Sequence, residues 1–331
     1  MKRITLFIAA VFILFVSRLA GADALIIDHY DTDITGLTAA EIQKAKDTLH
    51  IAYGHTSHGS QISTGMSGLV DFADHHGKGL TLPDNIFQYN TGGTGGALDL
   101  RDGVMAGDVG YYPDWVNNTR GYLGDVNPVT GMGTNNSDVN VIMWSWCGQV
   151  SGSTEASLIA NYLTPMAELE AEYFNVTFVY MTGHLDGTGS TGNLNLRNQQ
   201  IRDYVIANEK VLFDFADIES YDPDGSVNYM ALLANDGNDY DSDGNGSRDK
   251  NWATDWQDSH TQGVDWYNVS SAHSTALNAN LKAYAAWNLF VELAEDNGNT
   301  AVPEPSSLVL LGTGLVGLLG RRLRRSREIL P

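Results

Sequence analysis

The chain has 331 residues, in which 40 acidic side chains face 19 lysines and arginines. This excess of negative charge disfavours nucleic acid and anionic membrane surfaces as partners, and it favours solubility and calcium. A single cysteine, Cys147, excludes a disulfide framework within the chain.

The first 24 residues have the order of a secretory signal peptide. Lys2 and Arg3 precede an apolar run over residues 4–16. Small residues follow, and two small-x-small sequences over 20–24 fit the cleavage pattern. The run is too short for a stable membrane span. We therefore expect export, removal of residues 1–24 and a single domain over 25–300, whose 37 acidic and 11 basic side chains give a net charge of −26.

Four short apolar runs in the middle of the chain are typical of β-strands. They cover residues 48–54, 139–147, 176–183 and 211–218. The apolar stretches in the second and third are nearly continuous, which is typical of strands covered on both faces.

Helical patterns lie between these runs. Thr38 begins one, because Glu41 three residues later completes a capping box. Residues 155–173 repeat apolar side chains at helical spacing, with a kink expected at Pro165, and two further helices are predicted over 196–208 and 275–294. The alternation of strand and helix predicts an α/β fold, a three-layer α/β/α sandwich with a mainly parallel sheet.

Catalytic groups in such sheets gather at the carboxyl edge, where the strands end. Ser57 follows the first predicted strand, on a turn before a helix whose free N–H groups can stabilise an oxyanion. The glycines of the loop 90–96, including Gly95, allow backbone N–H groups to approach a substrate closely.

Three more side chains are candidates at this edge. Gln149 brings an amide after the second strand, and His184 ends the third. His273 directly precedes the last helix, where the helix dipole favours the neutral imidazole that a general base needs.

This block order resembles that of the SGNH (GDSL-type) hydrolases, in which a serine attacks an ester. The resemblance covers most of the middle region. It implies that Ser57 is the nucleophile and His273 the base, and that Gly95 and Gln149 complete the oxyanion hole. It also implies the α/β/α sandwich of that family and catalysis without a cofactor.

The chain departs from the family pattern in three places. His55-Thr56-Ser57 stands where the family has Gly-Asp-Ser, so Ser60 remains an alternative nucleophile. Gln149 is one methylene longer than the usual Asn. Ser270 stands where the family's Asp precedes the histidine, which leaves Asp265 as an alternative acid or a Ser-His dyad without one.

An independent motif is typical of a calcium loop. Oxygen-bearing side chains alternate along it, and Gly244 occupies the turn position. The oxygen-bearing residues are Asp239, Asp241, Asp243 and Asn245. Lys250 occupies the twelfth position, where a bidentate Glu is usual. The motif predicts a weak structural calcium site, and the alternative is an acidic turn exposed to solvent.

The C-terminal residues 301–331 have three features in a characteristic order. Pro303-Glu304-Pro305 interrupts regular structure, an apolar stretch follows over 308–320, and five arginines lie beyond it. This order resembles the PEP-CTERM sorting tails of Gram-negative bacteria that make exopolysaccharide. The resemblance implies processing by an exosortase, transient membrane contact through a short apolar helix, and delivery to the cell surface or extracellular matrix.

Together these features favour an exported esterase that deacylates carbohydrate in the extracellular matrix. One alternative is a metal-dependent hydrolase with His55, His58, His184 and His273 as ligands. The other is a non-catalytic, calcium-stabilised surface or carbohydrate-binding protein that keeps a hydrolase fold.

Overall fold

A computed structural model of the chain describes residues 23–299. The predicted signal segment before residue 23 and the predicted sorting tail lie outside that range. None of the helices within it combines the length and the apolar character needed to cross a bilayer.

One sheet of seven parallel strands forms the centre of the fold, in the order β1-β7-β6-β5-β2-β4-β3. The strands are β1 (Leu25–Ile27), β2 (His50–Gly54), β3 (Tyr89–Asn90), β4 (Leu98–Met105), β5 (Val141–Trp144), β6 (Thr177–Met181) and β7 (Val211–Phe213). The predicted parallel sheet is confirmed, and β2, β5, β6 and β7 fall within the four predicted runs. Strands β1, β3 and β4 were not predicted, because β1 and β3 are very short and charged residues interrupt β4.

Helices cover both faces of the sheet. They are α1 (Ala39–Thr48), α2 (Ser60–Asp74), α3 (Asp114–Leu123), α4 (Glu155–Leu158), α5 (Thr164–Glu172), α6 (Asn193–Ala207), α7 (Phe215–Ile218), α8 (Trp252–Ser259) and α9 (Ala276–Asn299). Helices α1 and α2 both pack against α9 on one face, whereas α3, α5 and α6 contact strands from the other. The predicted three-layer α/β/α sandwich is confirmed.

Two predicted elements have different local structures. A π-helical turn, Ile159–Leu163, runs directly into α5, and this turn accommodates the missing N–H of Pro165 near the start of α5. The predicted strand over 211–218 ends at Phe213. Asp214 then caps α7 by accepting a hydrogen bond from the Asp217 N–H, and the chain turns into a helix.

The order of the strands marks where a binding crevice forms. After β2 the chain moves to β3 and β4 on one side, and from β4 it crosses back to β5 on the other side of β2. Ligands of open α/β sheets bind at such a switch point, beside the carboxyl ends of the strands. The crevice therefore lies between the loops that follow β2 and β5, which carry Ser57 and Cys147.

Candidate functional site

The turn that carries Ser57 is packed closely against β5. Gly59 precedes the first residue of α2, and a Cβ there would overlap the hydroxyl of Ser145 and the Cβ of His55. The buried hydroxyl of Tyr53 donates a hydrogen bond of 3.0 Å to the Gly59 carbonyl. Glycine is therefore required at this position, and the packing directs residues 55–58 to the carboxyl edge of the sheet.

Ser57 and His273 meet at this edge although they are 216 residues apart in sequence. The distance from Ser57 Oγ to His273 Nε2 is 2.9 Å. His273 has the left-handed backbone conformation, with φ of 60°. Such conformations are uncommon outside glycine and occur frequently at active sites.

Contacts on both sides of His273 hold its loop in place. The Gln61 side chain donates a hydrogen bond of 2.6 Å to the Ala272 carbonyl. The hydroxyls of Ser274 and Thr275 donate to Asn238 Oδ1 at 3.0 and 2.8 Å. The strained backbone at His273 is therefore fixed by its neighbours.

His58 lies at the centre of a stack of three imidazole rings. The centroid of its ring is 3.8 Å from that of His184 and 4.5 Å from that of His273. Its Nδ1 lies 3.2 Å from Cys147 Sγ, and its Nε2 lies 3.0 Å from Asp236 Oδ2. Burial lowers the pKa of His58 despite the opposing carboxylate of Asp236, so the ring is neutral at pH 7.

Cys147 and Asp236 also belong to this site, although neither was predicted as a site residue from the sequence. Cys147 Sγ lies 3.7 Å from Ser57 Oγ. Asp236 belongs to a polar turn that no strand or helix pattern marks, and its sequence separation from His58 is 178 residues. Its only signal was its position next to Gly237, which is typical of turns in general.

The alternative nucleophile and the alternative acid have other partners. The Ser60 hydroxyl donates a hydrogen bond of 2.7 Å to the Ser57 carbonyl. The carboxylate of Asp265 accepts a hydrogen bond of 2.8 Å from the Thr261 N–H within its own turn. Asp236, rather than Asp265, is the carboxylate that lies among the histidines.

Gly95 lies at the opposite edge of the sheet. The Gly92 N–H of its loop donates to Asp99 Oδ1 at 2.6 Å, and Asp99 pairs with His50, the first residue of β2. Gly54, where β2 reaches the Ser57 turn, is four residues farther along, which is about 13 Å at the rise of a strand. The structure therefore does not bring Gly95 to Ser57. The β3–β4 connection is a short loop at the amino edge and not, as expected from the sequence, at the carboxyl edge.

The loop after β4 takes the position that Gly95 was expected to occupy. Asp108 accepts hydrogen bonds from the Thr56 hydroxyl at 2.9 Å and from the Gly110 N–H at 3.0 Å. Gln149 packs against Gly110, and its Oε1 accepts the Cys147 N–H at 3.1 Å. Gln149 thus lies at the carboxyl edge, with its carbonyl oxygen turned to its own loop.

The predicted calcium loop connects β8 (Asp239–Tyr240) and β9 (Lys250–Asn251). The Asp241 carboxylate accepts hydrogen bonds from the N–H groups of Gly246, Gly244 and Asn245, which lower its pKa. Hydrogen bonds from its own backbone N–H groups therefore hold this turn closed. Calcium binding by Asp239, Asp241, Asp243 and Asn245 stays a prediction.

His55 contacts Asp102 and has no contact with the other histidines among the described residues. Its Nε2 lies 2.7 Å from Asp102 Oδ1, and its Nδ1 lies 2.9 Å from the Thr56 carbonyl oxygen. Burial opposes the charge on the ring, but these two acceptors outweigh it and raise the pKa of His55.

We expect Asp102→Asn to destabilise the protein in a pH-dependent way. Because the folded state raises the pKa of His55, the stabilisation is fully present below the ordinary pKa of about 6.5 and is lost as pH rises through the raised value. Since Asp102 is partly exposed, the loss at pH 5.5 should be about 1 kcal/mol, and it should be smaller at pH 9. Urea unfolding of both proteins at the two pH values measures it; an equal loss at both would contradict this assignment.

Comparison with known proteins assigns the C-terminal tail. The PEP-CTERM protein-sorting motif matches residues 301–325. No curated protein and no solved structure matches the chain at a significant level. The resemblance to SGNH hydrolases has no support from these comparisons. The sorting motif indicates processing by an exosortase and export to the surface or extracellular space of a Gram-negative bacterium.

Proposed function

We propose that this exported protein is a serine hydrolase that cleaves esters, with Ser57 as the nucleophile and His273 as the base. The observation that carries this proposal is the 2.9 Å contact between Ser57 Oγ and His273 Nε2. A serine and a histidine within 2.6–3.2 Å are the minimal machinery of nucleophilic acyl transfer. Their position at the switch point of a parallel sheet, where substrates bind in such folds, supports it.

The mechanism follows from these positions. His273 Nε2 accepts the Ser57 proton as Oγ attacks the ester carbonyl, and the imidazolium then protonates the leaving alcohol. His273 then deprotonates a water that attacks the acyl-serine, the bond to Ser57 Oγ breaks, and the imidazolium returns its proton to Oγ as the carboxylic acid leaves. The Ser57 turn lies at the N-terminus of α2, whose positive dipole end favours the negative charge that develops on the carbonyl oxygen.

The substrate class follows from the location of the protein and from its charge. A net charge of −26 over residues 25–300 repels polyanions and leaves neutral substrates favoured. We infer that the substrate is an acylated extracellular polysaccharide of the producing bacterium, because sorting delivers the chain to that compartment.

A simple assay tests the reaction class. The purified exported protein is expected to hydrolyse p-nitrophenyl acetate and to retain that activity in EDTA, because the proposed Ser57–His273 chemistry needs no metal. Loss of activity in EDTA, with recovery on adding zinc, would favour the metal-dependent hydrolase. Absence of turnover with all tested acyl esters would favour the non-catalytic binding protein.

A further inference from the structure

We propose that His58, Asp236 and His273 form a binding site for one zinc-like divalent transition-metal ion. Their ligand atoms, one from each side chain, all lie within 4.8 Å of one another. His58 Nε2 and Asp236 Oδ2 are 3.0 Å apart. Zinc binds imidazole nitrogen and carboxylate oxygen at about 2.0–2.2 Å, so two such ligands of one tetrahedral ion lie about 3.4 Å apart, slightly farther than these two atoms. The cation therefore replaces the proton that these two groups share, with little movement of either.

The surroundings hold the His58 ring in a fixed position for binding a metal. The ring is buried, and a second ring, that of His184, stacks on it at 3.8 Å. His184 Nδ1 lies 2.7 Å from the Leu185 carbonyl oxygen, so this nitrogen carries a hydrogen and is not available as a metal ligand. Two imidazoles and one carboxylate leave a fourth position of the metal open, as in catalytic zinc sites.

The charge balance separates this group from another cluster of similar composition. His50, Asp99 and Asp138 also place their ligand atoms within 4.8 Å of one another. There the Arg101 guanidinium already binds both carboxylates, so their negative charge is neutralised. No arginine or lysine forms an ion pair with Asp236 among the described residues, and its partner is the neutral His58.

Metal binding and the Ser57 dyad compete for His273, an inference that rests on the proposed function. If the cation occupies Nε2 of His273, that nitrogen cannot accept the Ser57 proton. If it occupies Nδ1, the remaining hydrogen of the neutral ring lies on Nε2, which again cannot act as the base. Either geometry stops proton transfer from Ser57, so zinc inhibits the esterase reversibly.

Isothermal titration of the chelator-stripped exported protein with zinc chloride tests the site. We expect one zinc per chain, at least about tenfold weaker binding for Asp236→Asn, and unchanged binding for Asp138→Asn. Asp138 is a matched control because it belongs to another His/Asp group, in which Arg101 already binds the carboxylates. Circular dichroism checks that each variant is folded. His273→Gln, on the exposed loop, is a second variant should Asp236→Asn unfold.

The outcomes distinguish the metal site from the proposed hydrolase. Zinc binding that is retained in Ser57→Ala and weakened in Asp236→Asn supports the site even if the wild type has no esterase activity. Esterase activity that one equivalent of zinc lowers at least tenfold, and that recovers in EDTA, supports the competition for His273. The proposal is overturned if the wild type binds no zinc, or if Asp236→Asn and His273→Gln both bind zinc as tightly as the wild type does. Either result leaves the proposed hydrolase intact.

Discussion

Replacing Ser57 with alanine is expected to lower ester hydrolysis by at least about 10³-fold, because the substitution removes the atom that forms the acyl-enzyme. Steady-state kinetics with p-nitrophenyl acetate measure kcat/KM for both proteins. The Ser57 hydroxyl contacts His273 and the Cys147 thiol at the edge of the sheet and contributes little packing. The midpoint of urea unfolding should therefore shift only slightly.

Ser60→Ala is the matched control for this experiment. It removes a hydroxyl three residues away that donates to the Ser57 carbonyl, whereas His273 contacts Ser57. We expect kcat/KM to change by no more than several-fold. A large loss in Ser60→Ala with full activity in Ser57→Ala would move the nucleophile to Ser60, and full activity in both variants would exclude the serine mechanism.

The second large effect concerns the buried ion pair beneath the site. Lys282 on α9 donates hydrogen bonds to Glu219 and to Gln61, and the side chains of Lys282 and Glu219 are both 0 % exposed. Burial lowers the pKa of Lys282 to about 8 although Glu219 opposes it, so the ammonium is still charged at pH 7. Lys282→Met leaves the Glu219 carboxylate buried without its cation, and we expect a loss of about 3–5 kcal/mol in the free energy of unfolding.

Urea unfolding followed by circular dichroism measures this loss, and two further variants test its cause. The double variant Lys282→Met/Glu219→Gln should recover part of the stability, because no unpaired charge remains. Lys44→Met breaks the partly exposed ion pair with Glu295 and should cost less than about 1 kcal/mol. Equal losses in the two lysine variants would show that desolvation of Glu219 is not the cause.

The same ion pair connects the core to the proposed base. Gln61 accepts from Lys282 and donates to the Ala272 carbonyl, one residue before His273. A variant of Lys282 that still folds should therefore also lose esterase activity, since the loop that holds His273 at φ of 60° loses one of its anchors.

Features that depend on the local order of residues could be predicted from the sequence. The sorting tail follows from the order of its prolines, apolar residues and arginines, and the motif match at 301–325 confirms it. Continuous apolar runs between helical patterns predicted the parallel sheet, because strands buried on both faces need apolar side chains on both. The proximity of Ser57 and His273 was predictable from their positions after a strand and before a helix of such a sheet.

Which other groups reach the site depends on how distant parts of the chain pack together. Strand register separates Gly95 from Ser57, because the β3–β4 loop connects to the start of β4, beside the first residue of β2. Asp236 and Cys147 reach His58 because a turn and the end of β5 converge at the switch point. Such convergence depends on the order and register of the strands across the whole sheet, which no local pattern of residues specifies.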